Sequence, residues 1–174
     1  MNQRVSLQNI HRMVFYVVVA VLCVGTASKE GRMKLIPIYN PETQRAEEVE
    51  PIVRSDVEWR SLLTPAQYDV LRKKGTEAPF SGVCSVPQNG IFHCAGCGTA
   101  LFYGEKKFES GTGWPSFWSP VSPLNLKLVE DRSHGMTRVE VLCARCQSHL
   151  GHVFDDGPPP THKRYCINSL ALQP

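Results

Sequence analysis

Cys94-Ala-Gly-Cys97 and Cys143-Ala-Arg-Cys146 are two C-x-x-C turns separated by 45 residues. Each follows an alternating apolar run and offers two thiols from one tight bend. Zinc takes four thiolates tetrahedrally at about 2.3 Å, so the two turns together predict one Zn2+ ion. A closed four-sulfur shell leaves no position for substrate, which makes the predicted ion structural. The gap is longer than in a compact zinc ribbon, so the fold has to bring the knuckles together and the metal ties distant hairpins. Two other schemes use the same residues. A thioredoxin-like redox C-x-x-C needs a βαβ setting with the cysteine at a helix start, and neither pair has one. Two disulfides would suit an exported protein.

Three cysteines remain, Cys23, Cys84 and Cys166. An odd total of seven excludes a closed framework of internal disulfides. The net charge of +3 is weak, and no basic stripe flanks either knuckle. This excludes nucleic acid as a partner.

From Gly90 onward the apolar period is two. Residues 91–93, 100–103, 126–129, 137–141, 149–154 and 164–168 read as strands separated by turn clusters. No helical pattern alternates with them, so the domain is predicted to be mainly β and mostly antiparallel. Two short helices precede it. Ser55 with Glu58, and Thr64 with Gln67, have capping-box spacing. Pro65 suits a first helical position, Leu63 and Tyr68 are spaced as a staple, and Gly75 can end the second helix.

The start of the chain reads differently. Arg4 and Arg12 precede or border an apolar run from Met13 to Val24, and small residues follow it. The run is short of the roughly 20 residues that span a bilayer. A secretory signal over residues 1–27, cleaved near Ala27, is expected, with an uncleaved N-terminal membrane anchor as the alternative. Either places the domain outside the cytoplasm. Residues 28–54 are polar, interrupted by proline and aperiodic, and are expected to be a linker to a domain spanning 55–174.

Cys166 lies in Arg164-Tyr165-Cys166-Ile167-Asn168. On a strand, Arg164, Cys166 and Asn168 share a face. A guanidinium there lowers a thiol pKa, and an amide can orient a water or a substrate oxygen. The strand alone fits a small buried hydrophobe equally well. His149 and His152 are three apart, and a bulge at Gly151 would turn both inward, where imidazole is the natural proton donor near neutral pH. Trp114, in a glycine-flexed loop, can wall an apolar pocket.

From Ser55 to its end the chain resembles the methionine-R-sulfoxide reductases, the MsrB family. The matching stretches are LTPAQYDVLRKKGTEAPFSG, the paired C-x-x-C turns, SGTGWPSF, SHGMTRVEV, HLGHVFDDGP and RYCINS. The resemblance implies two antiparallel sheets leaning together as a β-tent, with small helices outside. It implies structural zinc at Cys94, Cys97, Cys143 and Cys146, and Cys166 as the nucleophile. His149, His152, Asn168 and Arg164 match catalytic positions, and Trp114, with Phe154, matches a substrate-binding one. The implied substrate is an oxidised protein carrying methionine (R)-sulfoxide, and the implied product on Cys166 is a sulfenic acid.

Two positions depart from the family pattern. Thr112 stands where many members carry a resolving cysteine, which leaves Cys84 as the candidate resolving thiol, with a thioredoxin-like protein as final reductant. His162 stands where the family usually has glycine, which puts the local loop geometry in question. Two rival functions use the same residues: an inactive zinc-binding scaffold of this fold, and a general disulfide reductase with a metal-free C-x-x-C.

Overall fold

The computed structural model describes residues 34–82 and 89–174. The expected signal or anchor segment and the candidate resolving Cys84 lie outside the described residues. Among the described residues no helix is long and apolar enough to cross a membrane.

Two capped helices open the core. Helix α1 (Asp56–Leu62) and helix α2 (Pro65–Lys73) each begin with the full reciprocal capping box that the sequence predicts. They bury Trp59 and the Tyr68, Val70 and Leu71 face of α2. The left-handed residue ending α2 is Lys74, at φ 59°, not Gly75. A Cβ at Gly75 would meet the exposed Asp69 carboxylate at 2.5 Å, which can swing away, and the Asp69 carbonyl oxygen at 3.1 Å.

The strands are β1 (Ile36–Asn40), β2 (Arg45–Val49), β3 (Ile91–Cys94), β4 (Ala100–Tyr103), β5 (Lys107–Phe108), β6 (Ser116–Phe117), β7 (Leu126–Asp131), β8 (Arg138–Cys143), β9 (His149–Phe154), β10 (Arg164–Ile167) and β11 (Leu172–Gln173). Every pairing is antiparallel. A six-stranded sheet runs β5-β6-β10-β9-β8-β7, and a three-stranded sheet runs β11-β3-β4. The sheets share one aromatic core. Phe117 of the first stacks on Phe102 of the second at 4.4 Å and meets Phe92 edge-on at 5.1 Å. Burying three such rings with Leu101, Leu150 and Ile167 supplies the main hydrophobic drive, at roughly 1.5–3 kcal/mol per large side chain.

The expected linker is corrected in part. Strands β1 and β2 form a hairpin inside it. Strand β2, Arg-Ala-Glu-Glu-Val, is exposed at all but its last position, so no apolar alternation marks it. The hairpin is held by a side chain far along the chain. Fully buried Asn125 accepts from the Tyr39 N–H at 2.8 Å and donates to the Tyr39 carbonyl at 2.9 Å. It also donates to the Ala100 carbonyl at 2.8 Å, which joins hairpin and small sheet.

Candidate active site and metal centre

The two C-x-x-C turns meet. The four sulfurs of Cys94, Cys97, Cys143 and Cys146 all lie within 4.8 Å of one another. Cys94 and Cys146 are 3.7 Å apart, and Cys97 and Cys143 are 3.5 Å apart. A tetrahedron with metal–sulfur bonds of about 2.3 Å has edges of about 3.8 Å, so the donor set fits zinc. All four cysteines are free, and the separations are far beyond the roughly 2.05 Å of a disulfide, which removes the paired-disulfide scheme. Cys94 closes β3 and Cys143 closes β8, so neither turn has the helix start of a redox C-x-x-C. The cluster is nearly closed to solvent and can hold an ion without offering it to substrate.

The fifth free thiol stands apart. Cys166, in the middle of β10, faces a cleft of about 140 Å³ lined also by Trp114, His152, Phe154 and Asn168. Thr76, Arg138, Gly151 and Ile167 complete its wall. Strand pairing explains the assembly. Cys166 is the direct partner of His152 on β9 and of Ser116 on β6. Trp114 sits two residues before Ser116, and its indole N–H donates to the Glu77 carbonyl at 3.1 Å.

The expected bulge exists. The β8–β9 register slips between Val141 and Leu142, so His149 and Gly151 face consecutive residues of β8. Both imidazoles therefore reach one side of the sheet, with ring centroids 5.5 Å apart. Gly151 is required by close approach, because a Cβ there would fall 2.0 Å from the Cys166 carbonyl oxygen.

Each histidine has its own carboxylate. His152 Nε2 lies 2.8 Å from Asp131 Oδ2, and Arg138 donates to the same oxygen at 2.8 Å. Hydrogen bonds from the Ser133 hydroxyl and N–H, then from His152, hold Asp131 well below the usual carboxylate range. His149 is buried behind His152, with Nδ1 2.7 Å from Glu140 Oε1. Lys74 binds the other Glu140 oxygen at 2.8 Å. Burial lowers the His149 pKa even against the pull of Glu140, which keeps the ring neutral near pH 7. Burial works to raise Glu140, but Lys74 and His149 outweigh it and the carboxyl stays below its usual value.

Two expected contributions differ in the structure. Arg164 makes a two-pronged ion pair with Asp156, at 2.8 Å on each arm, and stacks over Phe154 at 4.5 Å. With its charge so balanced, it lowers the Cys166 pKa less than burial raises it, and the thiol lies above its ordinary value. Asn168 spends its amide on backbone: it donates to the Leu150 carbonyl at 3.0 Å and accepts from the Glu77 N–H at 3.2 Å. It therefore fixes β9 and the Glu77 turn at the cleft floor. His162 does adopt the left-handed conformation that glycine favours, at φ 57°, and the loop closes through its N–H to the Pro158 carbonyl at 3.0 Å.

Sequence reasoning missed Glu140, Asp131 and Lys74. Glu140 carried a usable signal. It interrupts the apolar half of β8, and a carboxylate buried in a sheet needs a partner. Asp131 and Lys74 carried none, since both sit in polar surroundings of the sequence.

A β domain carrying a four-cysteine cluster, with a separate thiol in a cleft of aromatic and imidazole groups, defines a cysteine-dependent redox enzyme. Comparison with known proteins gives the family. The SelR domain matches residues 63–174. A peptide methionine sulfoxide reductase MsrB of Methanosarcina barkeri is 57% identical over 122 residues, 70% of this chain and 86% of that protein. The protein of the same name from Pseudomonas putida is 58% identical over 116 residues, 66% and 88% of the two chains. That of Pseudomonas fluorescens is 52% identical over 125 residues, 71% and 96%. The chain belongs to the SelR-domain family of MsrB enzymes.

Proposed function

We propose that this protein reduces methionine (R)-sulfoxide, within oxidised proteins, to methionine. The observation that carries the reading is the Cys166 thiol, free of the metal cluster, in a cleft with Trp114, Phe154 and His152. The indole and phenyl rings suit a methyl–sulfur group. The cleft of about 140 Å³ has room for such a side chain, not for a large cofactor.

The Cys166 sulfur attacks the electrophilic sulfoxide sulfur. With Nε2 committed to Asp131, Nδ1 of His152 is the ring nitrogen left to pass the thiol proton to the sulfoxide oxygen. Thiol and sulfoxide become sulfenic acid and thioether: the oxygen and one proton end on Cys166, and methionine departs. Neutral His149, held by Glu140, supports the His152 ring from behind. The four-cysteine cluster would hold Zn2+ as a structural clamp.

Regeneration uses Cys84. Its sulfur attacks the sulfenic sulfur and the thiol proton goes to the departing oxygen, giving water and a Cys84–Cys166 disulfide that a thioredoxin-like dithiol reduces. The apolar, basic-flanked start of the chain supports export or outward-facing anchoring.

Turnover of separated R and S epimers of a methionine sulfoxide peptide tests the reading. Only the R epimer should be consumed, and Cys166→Ser should abolish turnover while keeping its zinc. Wild-type rates in that variant refute the mechanism. Loss of two thiols per turnover in Cys84→Ser would exclude Cys84 as the resolving group.

A further inference from the structure

All four polar atoms of Glu77 are engaged, and they join two walls of the cleft. Its carbonyl accepts from the Trp114 indole N–H at 3.1 Å, and its N–H donates to Asn168 Oδ1 at 3.2 Å. Its carboxylate accepts from the Ser169 N–H, from the Ser169 hydroxyl at 2.8 Å and from the Leu170 N–H at 3.1 Å. Trp114, Asn168 and Thr76, the residue before Glu77, all line the cleft around Cys166.

The chain after β10 explains the carboxylate. Strand β10 ends at Ile167, and a short 3-10 turn, Ser169–Ala171, follows. The first N–H groups of such a turn have no partner within it. Asn168 stands at the N-cap, but its side chain does not cap, because it is spent on the Leu150 carbonyl and the Glu77 N–H. Glu77, 92 residues from Ser169, supplies the missing cap. A charged acceptor makes these bonds stronger than neutral ones. The packing is close as well: a Cβ on Gly82 would lie 1.8 Å from Ser169 Oγ and 3.2 Å from Glu77 Oε1.

The other end of the brace is the tryptophan loop. A half-buried indole N–H needs an acceptor, and the Glu77 carbonyl is the one it has. The Phe80 N–H donates to the Gly113 carbonyl at 2.8 Å and ties the same segment to that loop a second time. Residues 76–82 therefore connect the Trp114 loop to the turn that follows Cys166. We propose that Glu77 is a positioning residue: its carboxylate pins this segment to the Ser169–Ala171 turn, so that its carbonyl holds Trp114 as the wall for the substrate methyl. It rests on the reading of Trp114 as that wall. Removing the side chain keeps the carbonyl but frees the segment that aims it.

The test is steady-state reduction of an R-sulfoxide peptide by the full-length, zinc-loaded protein, with kcat and KM resolved. Glu77→Ala should raise KM about tenfold and leave kcat within about threefold, the pattern of lost substrate binding. Glu77→Gln, which keeps the shape and one accepting oxygen, should raise KM about threefold. Trp114→Phe removes the indole donor, and adding Glu77→Ala to it should change KM by less than about twofold further, because both act on one wall. In a proton–nitrogen NMR spectrum the Trp114 indole N–H, assigned by its loss in Trp114→Phe, should shift upfield in Glu77→Ala. Thermal melting and zinc content report the fold of each variant. An unchanged KM in Glu77→Ala overturns the proposal. So do effects that multiply in the double variant, which would mean a structural role independent of Trp114. Should Glu77→Ala fail to fold, Glu77→Gln decides alone, and an unchanged KM overturns the proposal. A wild-type protein that leaves the R epimer unconsumed would refute the function itself, an outcome distinct from active wild type with indifferent Glu77 variants.

Discussion

Replacing Gly151 with alanine tests the architecture of the cleft at one atom. The added Cβ would lie 2.0 Å from the Cys166 carbonyl oxygen and 3.0 Å from both the Cys166 carbonyl carbon and the Ile167 Cα. Ordinary contact begins at 3.4 Å, so β9 and β10 must part by about 1.4 Å (3.4 minus 2.0). The obstructing atoms are backbone, and no side-chain rotation relieves them. The backbone at Gly151 is at φ 158°, a conformation that L side chains rarely adopt, so backbone strain adds to the steric clash. Overpacking of this kind costs about 1–3 kcal/mol. It also moves Cys166, the proposed nucleophile, relative to His152 and Trp114, and a shift of about 1 Å commonly costs ~100-fold in rate. The assay is kcat/KM on an R-sulfoxide peptide beside a urea denaturation curve, with zinc content as control. Gly151→Ala should lose about 100-fold in kcat/KM and remain zinc-loaded. An alanine variant within threefold of wild type, at unchanged stability, would refute the claim that β9–β10 contact sets the cleft.

Three further outcomes follow from other parts of the molecule. Cys143→Ser should lose zinc and unfold, because zinc binding of about 10–16 kcal/mol is comparable with a whole domain's stability of about 5–15 kcal/mol; zinc stoichiometry and circular dichroism read this, and a folded apo variant contradicts it. His162→Gly should raise stability by about 0.5–1 kcal/mol, since a left-handed non-glycine residue costs about 1–2 kcal/mol and glycine's extra chain entropy returns part of that; an unchanged denaturation midpoint counts against it. Acid should destabilise the fold in stages. His149, Glu140 and Asp131 all have folded-state pKa values below their ordinary ones of 6.5, 4.5 and 3.8. Their stabilisation is complete above those values and is lost as pH falls through the lower folded-state ones. His149→Gln should remove the first stage, below about pH 6.5, and a denaturation midpoint that tracks wild type through that range would contradict the assignment.

Legibility in the sequence followed the range of the interactions. The helix starts were readable because a capping box is complete within four residues, as at Ser55 and Thr64. Strands β3, β4, β8 and β9 were readable because one face of each enters the core. The β1–β2 hairpin was not, because what fixes it is Asn125, 86 residues from Tyr39. Two-residue strands β5, β6 and β11 are too short to show a period. At the site, the spacing of the cysteines and histidines was informative, whereas their partners were not. Asp131 reaches His152 only because β7 pairs with β8 and β8 with β9. The electrostatic sign at Cys166 was misjudged for the same reason. Arg164 was visible two residues away, but burial and the opposing Asp156 come from the tertiary structure.

The cysteine cluster and the Cys166 cleft are linked through one turn. Cys143 ends β8 and His149 begins β9, so the second knuckle is itself the β8–β9 connection. Its geometry is set by hydrogen bonds from the Cys143 N–H to the Ser148 carbonyl at 3.0 Å and from the Gln147 N–H to the Cys143 carbonyl at 2.8 Å. The register slip that brings both imidazoles to one side occurs directly after this turn. A turn left loose could slide β9 by one residue, and a one-residue slide sends every side chain to the opposite face. His149 would then leave Glu140, and His152 would leave the cleft. A metal ion bound by all four sulfurs would clamp Cys143 and Cys146 to the first knuckle and oppose that slide. A metal held by the four cysteines would thus fix the strand register that places His152 beside Cys166.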